Sequence, residues 1–195
     1  MDGDLYITGD AAADRLLNSN ADALLIGMLL DQQVPVEWAF RGPSTLLTRL
    51  GHLDVGRIAA MDEDDLVAVA CTAPAIHRFP AVMARRIRSV CDALAIDWGG
   101  RTESLWADDP DARTLARRLR ALPGFGPEKT KIFVALLAKR FGIRPRGWEQ
   151  VAGVFADGLP RTIADCDGPD GLAAMRAWKA AQKAAGRDKQ DRPIR

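Results

Sequence analysis

The residues best suited to chemistry lie in Leu122-Pro123-Gly124-Phe125-Gly126-Pro127-Glu128-Lys129-Thr130, where two glycines flank one aromatic residue. Proline fixes φ and each glycine permits the positive φ that other residues avoid, so this segment is expected to turn. Leu115, Leu119 and Leu122 recur at helical spacing before it. Ile132, Phe133, Leu136, Leu137 and Phe141 do so after it, with Pro127 suited to the first helical position. The expectation is a helix-hairpin-helix over residues 112–141. Backbone N–H groups around Gly124 and Gly126, and those opening the second helix, would be unpaired and able to hold a phosphate oxygen. The missing side chains let a nucleic-acid backbone come close. Between Ala112 and Gly147 there are ten Lys and Arg against one acid, Glu128, in a chain of net charge +1. Such a segment either binds phosphates or is simply a solvated helix face beside a plain interhelical turn.

A second polar cluster interrupts the most apolar stretch of the chain. Ala23 to Leu30 reads as a buried helix and runs directly into Asp31-Gln32-Gln33. Two adjacent glutamines are unfavourable to bury and easy to display, so they belong at a helix end, facing either a cleft or solvent.

The elements that must position these groups are all helical. A short helix is expected over residues 10–17, with Asn18 to Asp22 breaking it and capping the next. Pro43-Ser44-Thr45 should start a further helix that Gly51 ends, and Asp54 to Ala60 another. Asp62-Glu63-Asp64-Asp65 should cap a third, and Val82, Ile87, Val90 and Leu94 mark a long one with Arg85, Arg86 and Arg88 outward. No strand-like alternation of useful length occurs, so the fold class is all-α. At 195 residues the chain can bury a real core. It offers no cleavable signal and no apolar run able to span a bilayer, which points to a cytoplasmic, nucleoid-associated protein with no membrane partner. Cys71, Cys91 and Cys166 are too few for a four-cysteine metal or iron–sulfur site, and His52 and His77 lack zinc-like spacing; no metal site is expected. Seven bases against two acids follow from Arg176 onward, and the last ten residues are expected to be disordered.

The hairpin segment resembles the Leu-Pro-Gly-Val-Gly hairpin of the HhH-GPD superfamily of base-excision DNA glycosylases. Leu29-Leu30-Asp31-Gln32-Gln33-Val34 is similar to the Gln-Gln helix end of those enzymes, and Ile76 to Leu94 to their central helices. The resemblance covers roughly residues 20–145. It implies two helical lobes: a barrel lobe over residues 21–132 carrying the hairpin, and a second lobe from residues 1–20 and 133–185, followed by a disordered basic tail over residues 186–195. Lesion-containing double-stranded DNA would bind across the cleft to a monomer, with one nucleotide flipped out. The DNA-binding residues it implies are Gln32, Gln33, Leu122, Gly124, Phe125, Gly126, Glu128, Lys129 and Lys131. Trp38, Phe40 and Trp148 would line a base pocket, or else serve as core. The resemblance calls for no cofactor beyond a monovalent cation at the hairpin, and for no iron–sulfur cluster.

The sequence departs from that family at both catalytic positions. Where strand-cleaving members carry a lysine it has Glu128, with Lys129 displaced by one residue, about 100° around the helix. Without that amine no Schiff base forms, so lyase activity should be absent. Eighteen residues on, Arg146 occupies the place of the usual aspartate. A like charge ~4 Å from the developing sugar cation opposes it by on the order of 4 kcal/mol, about a thousandfold in rate. Another carboxylate must then take over: Glu128 or Glu149, with Asp31, Glu37 and Asp157 further candidates. Glu128 is equally explained as a first-turn acid stabilised by the helix dipole. Two readings stay open, a monofunctional glycosylase with an atypical site and a DNA-binding protein that has lost bond cleavage.

Overall fold

The computed structural model describes residues 1–194, which form ten α-helices and no strand. Two of these helices are buried nearly all round and organise the rest. α2 (Ala21–Leu30) has only Asp22 outside the buried set, and α8 (Pro127–Arg140) buries everything from Ile132 to Ala138. A helix apolar on every side must be covered on every side. α1 (Ala11–Ser19), α3 (Val36–Leu50) and α6 (Pro80–Asp97) cover α2, and α4 (Val55–Ala60) and α5 (Glu63–Cys71) pack on α6. Around α8 lie α7 (Ala112–Ala121), α9 (Trp148–Ala152) and the 3-10 turns Gly153–Ala156 and Ile163–Asp165; α10 (Pro169–Ala184) packs on the last of these. The amino terminus joins the α8 side, as the Asp4 N–H donates to Arg140 O and the Tyr6 N–H to Cys166 O. One continuous core results, and residue 132, the boundary implied by the resemblance, falls inside α8.

The caps are those the polar residues suggest: Asp10, Asn20, Asp54, Asp62 and Asp111 each accept backbone N–H groups of the helix they precede. Pro43 is different. Instead of starting a helix it lies inside α3, which begins at Val36. Its missing N–H weakens the helix, and close packing on α2 offsets this. A Cβ on Gly42 would lie 2.3 Å from Leu30 Cδ1, and one on Gly27 would lie 2.8 Å from the Phe40 ring. Glycine at both positions lets the two helices meet at short range.

The carboxy terminus also departs from expectation. Residues 186–194 are not disordered: the chain folds back in a tight turn, with Asp188 N–H donating to Arg192 O at 2.8 Å and Ile194 N–H to Gly186 O at 2.8 Å. The turn is anchored by Arg161, 4% exposed, whose guanidinium reaches Asp191 at 2.6 Å and Asp157 at 2.8 Å and lies 5.0 Å from the Trp178 ring. Hydropathy reads these residues as a solvated tail; a buried arginine thirty positions upstream decides otherwise. Arg195, included in that expectation, lies outside the described residues.

Candidate nucleic-acid interface

The carboxyl end of α2 and the amino end of α8 meet at one place. Gly124 makes the meeting possible, for it has φ 83° and any Cβ on it would lie 2.7 Å from Leu29 Cδ1. Glycine is required there twice, by the left-handed backbone and by the approach of α2. Gly126 differs. It is the N-cap of α8 in extended conformation, φ −74° and ψ 175°, and nothing lies within 4 Å of its missing side chain. Only one of the two glycines therefore uses positive φ, while the other leaves open space over the first turn of α8. Gly126 gives that turn no side-chain cap.

Lys129 ties the two helix ends together. Its Nζ donates to Met28 O at 2.6 Å and Leu29 O at 3.0 Å, carbonyls that α2 leaves unpaired at its end. Burial pushes its pKa down to about 8, and the neighbouring Asp31 carboxylate opposes the shift. Expected on the DNA-binding face, Lys129 instead points inward, because the α2 carbonyls are the nearest acceptors for a buried ammonium. Leu122 and Phe125 have buried side chains, so only their backbone groups could meet a partner, and Phe125 stacks edge-on against Phe133 at 5.9 Å.

The paired glutamines separate into different tasks. Gln32 is locked, its amide donating to Leu29 O at 2.6 Å, its side-chain oxygen accepting from Arg86 at 2.5 Å and its carbonyl accepting from His77 Nε2 at 2.9 Å. His77 Nδ1 accepts from the Phe79 N–H, which sets the Nε2–H tautomer of the neutral ring. Gln33 is exposed and held at φ 56°, a strained position for a residue with a side chain. Of the pair, Gln33 is the one whose side chain faces solvent.

Glu128 is half-exposed, and the carboxy-terminal turn grips it. Lys189 Nζ lies 2.9 Å from one carboxylate oxygen; the Gln190 amide donates to the other, with Arg192 at 3.6 Å. A cavity of about 230 Å³ opens beside it, lined by Pro127, Glu128, Lys131, Gln190 and Arg192. Glu149 stands exposed in the first turn of α9. Arg146 is also exposed; its carbonyl accepts from the Ala112 N–H, and its charge acts on Asp111 at the start of α7. The Asp31 carboxylate acts on both Lys129 and Lys179 of α10, opposing the lowering of their pKa by burial. Glu37 pairs with Arg176 and Asp157 with Arg161.

The aromatic residues do not form one pocket. Phe40 is fully buried against Gly27, a core residue rather than a base contact. Trp38 is 39% exposed beside His77, and its indole N–H donates to Ala75 O. Trp148 opens α9, against α7 and α8.

Much of the basic charge near the hairpin serves the fold. Arg118 pairs with Asp108, Arg140 with Asp4 and Asp167, and Lys139 with Asp165. The side chains of Arg113, Arg120, Lys131 and Arg146 form no hydrogen bond or ion pair among the described residues, and these four remain available for an anionic partner. Sequence reasoning missed Arg86, His77, Lys179 and the turn residues Lys189, Gln190 and Arg192. None carries a local signal, since each acquires its role from a residue far away in the chain.

The cysteines sit on separate elements, Cys71 exposed and Cys91 and Cys166 buried with thiols pushed up to about 12 by burial. This donor set does not fit a cluster, and no group of three metal-ligating side chains occurs among the described residues. No helix among them is long and apolar enough to cross a membrane.

Comparison with curated proteins returned no match, and comparison with solved structures returned none either. A family profile described as HhH-GPD superfamily base excision DNA repair protein matches residues 26–139, well over half of the chain, from the buried end of α2 through the last turn of α8. The matched span contains both the glutamine pair and the glycine hairpin whose meeting defines the interface. The chain belongs to the HhH-GPD superfamily of base-excision DNA repair proteins.

Proposed function

We propose that this protein binds lesion-containing duplex DNA as a monomer and hydrolyses the N-glycosidic bond of a damaged or mispaired base, leaving the strand intact. The observation that carries the reading is the open first turn of α8. Its N-cap glycine has clear space above it, Gln33 is displayed at the neighbouring end of α2, and a carboxylate, Glu128, stands at the second position of that turn. Amides at a helix start attract a phosphate. In the chemistry, water adds to C1′ as the C1′–N bond breaks, and the base leaves with the bonding electron pair and takes up a proton. A carboxylate near the sugar stabilises the cationic transition state. Glu128 or Glu149 serves in that role. No amine stands at the Glu128 position, and Lys129 is engaged with backbone carbonyls, so hydrolysis without β-elimination follows.

A second reading, duplex binding without bond cleavage, is favoured by one specific observation: Lys189 and Arg192 already neutralise Glu128. Incubation with a panel of lesion-bearing duplexes followed by alkali separates the two. Base release that Glu128→Gln or Glu149→Gln abolishes supports the hydrolase. Silence across the panel, with duplex binding retained, supports binding alone.

A further inference from the structure

We infer that the carboxy-terminal turn is a working part of the DNA-binding end: Lys189, Gln190 and Arg192 neutralise Glu128 and so preserve the attraction of the α8 amides for a phosphate. The inference rests on the DNA-binding reading above and adds residues far outside the matched family span.

The physical problem lies in the first turn of α8. A carboxylate at the second position of a helix is drawn to the free N–H groups and positive end of that same helix. Left alone, Glu128 would compete with a phosphate for those amides and repel it. The turn draws the carboxylate off instead. Both of its oxygens are engaged, one by Lys189 at 2.9 Å and the other by Gln190, with Arg192 at 3.6 Å. No backbone N–H of α8 donates to Glu128 among the described residues.

Exposed ion pairs hold poorly when each side chain must be ordered separately. Here the ordering is supplied by the anchor. Arg161 is buried and fixes the turn through Asp191 and the Lys189 carbonyl at 3.2 Å, and Asp188 holds Arg192 at 2.6 Å. The three groups therefore reach Glu128 from one preformed scaffold. Lys131 shares with Glu128 the cavity beside the hairpin and forms no ion pair among the described residues, which leaves the rim cationic once the acid is neutralised.

The test uses the full chain and an undamaged duplex oligonucleotide at fixed salt, with fluorescence anisotropy as the readout and circular dichroism to confirm folding. The doubly substituted Lys189→Gln, Arg192→Gln protein loses two positive charges at that end and should bind roughly tenfold more weakly, about threefold for each charge near a phosphate in largely aqueous surroundings. Adding Glu128→Gln to that protein returns one of the two units of charge and should restore about threefold of the loss. Unchanged or tighter binding by the double variant overturns the inference. So does a loss that Glu128→Gln fails to restore, which would mean that the two bases touch phosphate directly. If the unsubstituted chain binds no duplex, the DNA-binding reading falls and this inference with it; binding without the rescue removes the inference alone.

Discussion

Replacing Gly126 by valine should separate the hairpin's fold from its use. At φ −74° and ψ 175° the backbone suits any L-residue, and the added side chain meets open space. Stiffening the unfolded chain contributes about 0.4–1 kcal/mol of stability, and the poorer N-cap removes a similar amount, so net stability should change by less than about 1 kcal/mol. Two methyl groups above the first turn of α8 would, however, hold a phosphate away from its amides. A hydrogen bond to a charged group is worth roughly 1.5–3 kcal/mol, or about ten- to a hundredfold in affinity at 1.4 kcal/mol per decade. Because no cation is lost, plots of log K against log salt should shift down without changing slope, and every duplex sequence should suffer alike. Gly124→Val provides the contrast. It combines a positive φ with a 2.7 Å approach to Leu29, and strain plus overpacking should destabilise the fold by roughly 2–5 kcal/mol. Anisotropy titrations at two salt concentrations, beside thermal melts, supply both readouts. A folded Gly126→Val protein with unaltered affinity would refute the phosphate role of the hairpin.

Gln33→Gly should relieve the left-handed backbone and raise stability by about 1 kcal/mol while weakening duplex binding, whereas Gln32→Ala should lower the melting temperature by removing the tie to Arg86 and Leu29 O. Lys129→Met should destabilise by roughly 1–3 kcal/mol, since it strips donors from the carbonyls that close α2. In the unsubstituted protein the lowered Lys129 pKa makes the unfolded chain bind more protons between about pH 8 and its ordinary 10.5, so this group contributes stability that rises with pH across that window. Denaturant titrations at about pH 7.5 and 9.5, either side of that lowered pKa, measure the contribution when the unsubstituted chain is compared with the Lys129→Met variant; an equal pH dependence in both would exclude it. At about pH 8 a maleimide should label Cys71 and leave Cys91 and Cys166 untouched until the protein unfolds, as mass spectrometry would show.

The local part of this fold was legible because its causes are local. Asp10, Asn20, Asp54, Asp62 and Asp111 cap helices through N–H groups two or three residues away, and the Leu119 to Leu137 pattern fixes two helices around a glycine turn. Pro43 misled because its effect depends on a neighbour: local propensity reads a helix start, and the close packing of Gly42 on Leu30 keeps α3 unbroken. The family resemblance places Leu122, Phe125 and Lys129 in the DNA-binding set, while tertiary packing buries the first two side chains and draws Lys129 onto the carbonyls that end α2.

By itself the sequence determined an all-helical chain, one apolar helix that must be enclosed, a glycine turn with free amides, and the absence of the lysine and aspartate its family resemblance leads one to expect. Which of two glycines is needed for shape and which leaves room, which glutamine is tethered and which displayed, and what faces Glu128 were decided by tertiary structure alone. The reason is distance along the chain. Leu29 and Gly124, Met28 and Lys129, Glu128 and Lys189, and Arg161 and Asp191 are each separated by tens of residues, and a side chain's partner at that range is fixed only when the enclosing helices have packed.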